Sequence, residues 1–323
     1  MITSLYYHGD EAATTDLPVS RLRSALADPA GVLWVDLEAV PDADAIAVLD
    51  GAFGFHPLTI DDCLGGPQRP KIDDFEAYVF VVTFAPVTDR TPGTPDADEL
   101  NLYLGSNYVV TFHKAPVPVL TALRATIGRD VRPLARGADR LAAEILAQLA
   151  SGYMDVLDVI DGELEALETE MFVRPRDATL ARLFVLRRRL SNLRRVVSPQ
   201  REVLNRLAWD TFKPVGDAHR IYFRDAYDHL VRVSDLTESL RDLAAGGLET
   251  YLSVVSNRLN ATMRWLAAVS TIFMPLTLVS SIYGMNFEHL PPFESPGGWQ
   301  LVVGAMVLIA AGLAAYFRRR HWI

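Results

Sequence analysis

The sequence is poor in the residues that build disulfides and transition-metal cages. Its 323 residues include one cysteine, Cys63, so no disulfide can form within the chain, and a lone cysteine suits a reducing compartment. It has no CxxC, no HExxH and no clustered pair of histidines, the spacings that hold zinc. These absences argue against a structural transition-metal centre and against a disulfide-stabilised secreted domain.

Basic residues are in the minority. Lys and Arg number 31 against 40 Asp and Glu, a formal net charge of −9, whereas a protein that binds a phosphate backbone normally presents a net basic surface. We therefore expect no nucleic-acid partner and an acidic body that attracts cations. Walker loops, nucleophile elbows and dinucleotide fingerprints are also missing, so the sequence indicates neither an enzyme nor an organic cofactor.

Long apolar runs are absent from the first 257 residues. The first thirty contain four acidic residues and no apolar stretch of signal-peptide length, so we expect a cytoplasmic N-terminus. Two runs of 23 uncharged residues follow, at 265–287 and 295–317. At about 1.5 Å per residue, each can cross a bilayer core of about 30 Å as a helix. The sequence predicts a transmembrane hairpin with spans at about 262–283 and 297–317.

Flanking charges orient this hairpin. Arg258 and Arg264 precede the first span, and three arginines at 318–320 follow the second. The loop between the spans carries Glu288 and Glu294 and no Lys or Arg. Because cytoplasmic flanks are enriched in basic residues, we expect both termini in the cytoplasm, in a multi-pass protein of the inner membrane.

The chain before the spans divides into an α/β region and a helical region. Short β-branched and aromatic runs predict strands at 2–7, 32–37, 78–84, 101–104 and 108–112, and helical spacing predicts helices at 19–27 and 43–53. We predict an α+β protein with three parts: a cytoplasmic mixed α/β domain at 1–137, a helical hairpin and long stalk helix at 138–257, and a transmembrane pore domain at 258–323.

Charge divides the helical region. Residues 151–172 hold seven acids and no base, whereas 174–206 hold ten Arg and two acids, which predicts an antiparallel hairpin whose faces attract. A hairpin with solvent-exposed charged faces explains both the acidic and the basic segment. The more specific alternatives are a divalent-ion binding surface on the acidic face and a binding site for anions or nucleic acid on the basic face. In the first helix, one face is apolar (Ile160, Leu164, Leu167, Met171) and the opposite face acidic (Asp158, Asp161, Glu165, Glu168).

After the break at 213–216, residues 217–282 contain no proline before Pro275. They predict one helix on the order of 100 Å long, with Gly246-Gly247 as its soft point. A helix of that length is too long to be buried in one domain. We expect a stalk that packs against copies of itself, and hence an oligomer.

One stripe of the first span is small, polar or flexible. With Asn260 at 0° on a helical wheel, the stripe lies within roughly 260° to 340° and consists of Met263, Ala267, Ser270, Met274, Thr277 and Ser281. A helix-packing seam would use the same residue types, but Asn260 at the start and Asn286 at the end favour a pore. The predicted pore-lining residues are Asn260, Met263, Ser270, Met274, Thr277 and Ser281, with Leu266 as a hydrophobic collar.

The first span ends in Tyr283-Gly-Met-Asn-Phe287, preceded by Phe273-Met-Pro-Leu-Thr277 and followed closely by the second span. In this position the motif resembles that of the CorA family of divalent-cation channels. Segments 56–58, 68–71, 222–229 and 251–257 are also similar to family segments, so the resemblance covers most of the chain.

The resemblance implies a homopentamer in the lipid bilayer, with the first span lining the pore and Gly284, Met285 and Asn286 forming an outer selectivity filter. Mg²⁺ dehydrates reluctantly, so a ring of Asn286 carboxamides could select it by hydrogen-bonding its hydration shell. Glu288 and Glu294 would raise the cation concentration at the outer mouth.

The resemblance also implies an intracellular Mg²⁺ sensor between subunits. By motif, Asp225 supplies one side and the Asp61-Asp62 pair the other, with Asp62 nearer by alignment, although the family often has Glu in place of Asp61. Bound Mg²⁺ would neutralise the repulsion between carboxylates and keep the pore closed. The alternative for this pair is helix capping, since Thr59 and Asp62 fit a capping box.

The predicted function is passive influx of Mg²⁺, with Co²⁺ and Ni²⁺ as further permeants. One alternative is a Zn²⁺ transporter of the ZntB branch, which usually differs at the middle residue of the Gly-x-Asn loop; Met285 favours Mg²⁺ and His289 slightly favours a softer ion. An alternative of another class is a membrane-anchored regulatory or scaffold protein, which would not need the polar stripe.

Overall fold

The computed structural model describes residues 1–9, 13–87, 96–285 and 297–322. The chain separates into two compact units. Residues 1–169 with 181–247 form unit 1, and residues 170–180 with 248–323 form unit 2.

Unit 1 contains a seven-stranded sheet in the order β2-β1-β3-β7-β6-β5-β4. Strands β3 and β7 are parallel, and the other neighbouring pairs are antiparallel. The strands are β1 (Ile2–His8), β2 (Thr14–Thr15), β3 (Gly31–Glu38), β4 (Lys71–Asp74), β5 (Tyr78–Pro86), β6 (Ala97–Gly105) and β7 (Tyr108–His113). Every residue of β5 from Tyr78 to Ala85 is buried. Because successive side chains point to opposite faces, the sheet is covered on both faces at this strand.

Three short helices lie between strands of unit 1: α1 (Val19–Leu26), α2 (Asp42–Leu49) and α3 (Pro57–Leu64). Two more, α4 (Pro118–Ile127) and α5 (Arg132–Ala135), follow the last strand. The five predicted strands and both predicted helices are present. The predicted capping box of Thr59 and Asp62 is wrong, because Thr59 is not the residue that caps the helix. Pro57 starts α3 two residues before Thr59, the His56 ring accepts from the Leu58 N–H, and the Thr59 hydroxyl lies inside the helix, donating to the His56 carbonyl at 2.8 Å.

The helical hairpin consists of α6 (Ala138–Val173) and α7 (Asp177–Trp209). The predicted apolar face of α6 is confirmed, since Ile160, Leu164, Leu167 and Met171 are fully buried. Arg189 of α7 pairs with Glu163 of α6 at 3.2 Å. The Tyr153 hydroxyl donates to the Phe84 carbonyl of β5 at 3.0 Å, and Gln200 Oε1 accepts from the Phe84 N–H at 3.2 Å, so both helices are bonded to the sheet.

The last two helices are α8 (Arg220–Tyr283) and α9 (Gly298–Arg319). In the described ranges, these two are long and apolar enough to cross a membrane. The predicted long helix is therefore present as 64 continuous residues that include Gly246, Gly247 and Pro275.

A buried charge cluster fixes α4 to the sheet. His113 Nδ1 lies 2.6 Å from the Ala115 carbonyl oxygen, and His113 Nε2 lies 3.1 Å from Asp36 Oδ1. Both partners are acceptors, so both ring nitrogens must donate, which requires the imidazolium form. Arg124 of α4 approaches Asp36 at 3.2 Å and Glu38 at 3.5 Å. Two cations thus balance two carboxylates.

Unit 1 should lose stability as the pH rises. Burial alone would lower the pKa of His113, but the hydrogen bond and charge of Asp36 outweigh it and hold the pKa above its ordinary value. The stabilisation is complete below the ordinary histidine pKa of about 6.5 and is lost as the pH rises through the higher pKa of the folded protein. His113→Gln should therefore cost about 1–3 kcal/mol of unfolding free energy at acidic pH and less at alkaline pH.

Hydrogen exchange of the β3 and α4 amides in the full-length chain measures this effect. His8→Gln is the matched control, because His8 also contacts a carboxylate, that of Asp28, but is exposed. A destabilisation by His113→Gln that is the same at every pH would contradict the imidazolium assignment.

Candidate functional site

The candidate ion pathway is a stripe on the membrane-spanning part of α8, within unit 2. All seven predicted pore-lining residues are exposed in the single chain, Met263 by 53% and Met274 by 73%. The covered side chains of this segment lie away from the stripe, roughly 110° to 170° around the helix from its centre at about 100° per residue. They include the fully buried Ala268 and the half-buried Ile272 and Val279. The stripe is exposed within its own chain, as are most other side chains of the span.

Two threonine hydroxyls of this segment, one on the stripe (Thr277) and one beside it (Thr271), donate to backbone carbonyls of α8. The Thr277 hydroxyl donates to the Phe273 carbonyl at 2.9 Å, and that of Thr271 donates to the Ala267 carbonyl at 2.8 Å. Each hydroxyl proton is therefore used within α8. The oxygen lone pairs remain to accept from a water molecule, which suits the hydration shell of a cation.

The predicted filter begins where α8 ends. The Gly284 N–H donates to the Ser280 carbonyl at 2.9 Å, and the Met285 N–H donates to the Ile282 carbonyl at 3.3 Å. The Met285 side chain is exposed. Four other residues singled out in the sequence, namely Asn286, Glu288, His289 and Glu294, lie outside the described residues.

The predicted sensor carboxylates differ in their surroundings. Asp62 Oδ2 lies 2.6 Å from Lys71 Nζ, which also contacts Asp73 at 2.9 Å. Burial would lower the pKa of Lys71, but the hydrogen bonds and charges of Asp62 and Asp73 raise it above its ordinary value. Lys71 therefore remains a cation and balances the charge of Asp62. Asp61, one residue earlier on α3, is exposed, and its carboxylate has no partner in the described part of the chain.

Asp225 lies on the first turns of α8. Its side chain is exposed, and the nearest cation-forming group is His229 Nε2, one turn later at 3.9 Å. Among the described residues, Asp225 does not converge with Asp61 and Asp62 into a group of ligand atoms within one chain. Its carboxylate is thus open to a ligand from outside its own chain.

One group of possible metal-ligand atoms does come together among the described residues, and it was not predicted from the sequence. Ligand atoms of Asp36, Glu38 and His113 lie within 4.8 Å of one another. The Arg124 guanidinium and the His113 imidazolium already supply the positive charge there, so this group is a structural cluster. No local pattern predicts it, because its members come from β3, β7 and α4.

Comparison with known proteins gives the family. The family model for the CorA-like Mg²⁺ transporter protein matches residues 29–319. The chain belongs to this family. The cobalt/magnesium transport protein CorA of Thermotoga maritima is 36% identical over 292 residues, which cover 90% of this chain and 83% of that protein. The zinc transport protein ZntB of Cronobacter sakazakii is 25% identical over 274 residues, 83% of this chain and 81% of that protein.

Solved CorA-family structures share the fold. The complete CorA magnesium transporter from Methanocaldococcus jannaschii superposes with a TM-score of 0.81 at 23% identity, covering 99% of this chain and 98% of that one. The predicted α+β fold, with its long helix and two C-terminal apolar helices, is confirmed. The resemblance read from the Gly-Met-Asn motif is confirmed as well, and the protein is a divalent-cation transporter of the CorA family rather than an enzyme.

Thiol accessibility tests the stripe. Cysteines at Met263, Ser270 and Met274 should react with small water-soluble thiol reagents and block flux, because the stripe is predicted to line an aqueous pore. Cysteines at Ile272 and Val279 should react far more slowly. Labelling is followed by mass spectrometry in a Cys63→Ser background.

The parent chain provides the control for this experiment. Cys63 is buried, and burial raises the pKa of its thiol to about 12, so the unmodified protein should not label. Equal labelling all around the helix would support the packing seam instead of a pore.

Proposed function

We propose that the protein is a homopentameric channel for passive Mg²⁺ influx through the cytoplasmic membrane, with both termini in the cytoplasm. The observation that supports the proposal is the exposure of all seven proposed pore residues of α8, among which the Thr277 hydroxyl keeps its lone pairs for an outside donor, just before Gly284-Met285-Asn286 in the sequence. Five such stripes around one axis would enclose a pathway of oxygens and thioethers without fixed charge. Neutral acceptors suit a hydrated cation because they bind it weakly enough for it to leave.

Ion preference follows from the chemistry of the pathway. None of the seven proposed pore residues is a His or Cys, the ligands that favour Zn²⁺. Mg²⁺ keeps its water molecules and is recognised through them. Co²⁺ and Ni²⁺ are proposed as further permeants. Zn²⁺ transport is the second candidate, favoured by the relation to ZntB, while Met285 argues for Mg²⁺.

Asn286→Ala should abolish Mg²⁺ uptake and leave the oligomer intact. The substitution removes a ring of side-chain oxygens and donors from the proposed filter while burying no new group. Mg²⁺ flux into liposomes loaded with a Mg²⁺-sensitive dye measures the effect, and native mass spectrometry counts subunits. Asn192→Ala, at an exposed asparagine of α7, is the control. Full flux through an intact Asn286→Ala pentamer would refute the filter.

The same assay separates the two candidate functions when the wild-type protein is challenged with Zn²⁺ instead of Mg²⁺.

We further propose that intracellular Mg²⁺ closes the channel through Asp225 of one subunit and the Asp61-Asp62 pair of an adjacent one. The residues fit a hard cation, since carboxylate oxygens are its preferred protein ligands. Lys71 already balances Asp62, so Asp61 and Asp225 carry the uncompensated charge. When bound, the ion would supply the positive charge that relieves their mutual repulsion.

Asp225→Asn and Asp61→Asn should each raise the Mg²⁺ concentration that inhibits current. A coupling of about 1 to 3 kcal/mol per effector corresponds to a shift of about 5- to 150-fold. Asp73→Asn is the matched control, because Asp73 also contacts Lys71 but is not a proposed ligand. Limited proteolysis with and without Mg²⁺ gives a second readout.

The decisive outcome is the triple variant. If Asp61→Asn, Asp62→Asn and Asp225→Asn together left both current and proteolysis unchanged in their Mg²⁺ dependence, these carboxylates would be surface charges. The sensor would then have to be sought on the acidic face of α6, at Asp158, Asp161, Glu165 and Glu168.

A further inference from the structure

The connection between α6 and α7 has an unusual surface. Its residues 172–176, Phe-Val-Arg-Pro-Arg, which we call the tip segment, end α6 and precede α7. The Phe172 side chain is 63% exposed and that of Val173 is 68% exposed. Arg174 and Arg176, which follow them, are exposed too. Two adjacent apolar side chains and two arginines therefore project together from the end of the hairpin.

The tip segment is bonded to the base of the first span. Arg258 Nη2 donates to the Val173 carbonyl at 2.7 Å and to the Phe172 carbonyl at 3.3 Å, which are the last carbonyls of α6. The Thr179 hydroxyl, at the start of α7, donates to Glu170 Oε1, near the end of α6, at 2.7 Å. This bond joins the two helices on either side of the tip segment. All of these residues belong to unit 2, the unit that contains the apolar parts of α8 and α9. The position of the tip segment relative to the first span is thus defined.

This position is close to a membrane surface. Arg258 precedes Trp265, the first residue of the uncharged run, by seven residues, or about 10 Å of helical rise. The polar interfacial layer on each side of a hydrocarbon core is about 5–8 Å thick. With the span in a bilayer, Phe172 and Val173 lie beside the headgroup layer on the side where Arg258 enters.

We propose that the tip segment is an interfacial anchor, in which Phe172 and Val173 enter the headgroup layer and Arg174 and Arg176 bind the phosphates of anionic lipids. This inference rests on the proposed membrane orientation of α8. Aromatic and aliphatic side chains beside arginines are the composition of surfaces that lie in a membrane interface. The cytoplasmic leaflet is anionic and attracts such basic segments.

Charge favours lipid over a second copy of the chain as the occupant. The flanks of both spans in unit 2 are basic, with Arg258 and Arg264 on α8 and arginines at 318–320 on α9. The described residues of unit 2 hold seven Arg against three acids, Glu170, Asp177 and Glu249, so a neighbouring copy of this unit brings a net positive charge to Arg174 and Arg176. Anionic headgroups bring the opposite charge and an apolar layer beneath them.

Spin labels on the full-length chain in phosphatidylcholine–phosphatidylglycerol vesicles test the anchor. In a Cys63→Ser background, the label replaces Phe172, and collision rates with oxygen and with a water-soluble nickel chelate report its depth. Val159→Cys is the aqueous reference, since Val159 is exposed on α6 about 20 Å of rise earlier. Leu308→Cys, exposed on α9, is the bilayer reference.

We expect the label at 172 to be shielded from nickel and accessible to oxygen. Arg174→Gln with Arg176→Gln, or vesicles without phosphatidylglycerol, should move it toward the aqueous value, while Arg188→Gln with Arg195→Gln on α7 should not. If the label at 172 has the same collision rates with oxygen and nickel as the label at 159, the anchor is overturned. Shielding from both reagents that is independent of lipid charge also overturns it, in favour of a second copy. An aqueous reading at 308 instead overturns the proposed membrane orientation itself.

Discussion

The backbone hydrogen-bond ladder of α8 is the interaction on which the rest of the structure depends. In hydrocarbon no water replaces a lost backbone hydrogen bond, so a span must be a continuous helix or be completed by neighbours. Helix α8 runs from Arg220 to Tyr283 through Pro275, and the Gly284 N–H extends the ladder to the Ser280 carbonyl. One element therefore contains both the proposed sensor residue Asp225 and the first residue of the proposed filter. In the proposed gating, rotation or bending of this helix would connect an ion bound at one end to the pathway at the other.

The carboxylates discussed above differ in whether a cation of the same chain balances their charge. Asp36 is buried with a guanidinium and an imidazolium, and Asp62 is paired with Lys71, so these charges are occupied in holding unit 1 together. Asp61 and Asp225 are exposed to solvent. An exposed carboxylate such as that of Asp61 can bind a hard cation without first losing a protein partner. This difference supports the inclusion of Asp61 beside Asp62 in the proposed sensor.

The sequence-based predictions succeed where a single physical period decides and miss where tertiary contacts decide. The 3.6-residue period alone placed Ile160 and Leu164 in the hairpin core, and uncharged length alone placed the spans. Strand β4 was missed because Lys71-Ile-Asp-Asp74 is mostly polar and pairs at the edge of the sheet. The Asp62–Lys71 pair and the His113 cluster were missed because they join residues from different elements. Of the candidate site, the pore stripe stays a prediction from spacing, whereas the exposure of the Asp61 carboxylate and the pairing of Asp62 with Lys71 required coordinates.

Weak, charged sensor sites and a neutral pathway are consistent with each other on energetic grounds. Moving a two-state equilibrium from 1:99 to 99:1 requires about 5.5 kcal/mol of differential binding. One exposed carboxylate pair that couples by about 1 to 3 kcal/mol cannot provide this alone, but in the proposed pentamer five equivalent pairs acting on one pore would provide about 5 to 15 kcal/mol. Each site can then remain weak enough to empty when the cytoplasmic ion concentration falls. The pathway needs the opposite property, passage without a deep minimum, and Asn260, Ser270 and Thr277 supply acceptors without charge. Separating charged sites from neutral ones along α8 lets the affinity that controls opening be set independently of the affinity that limits conduction.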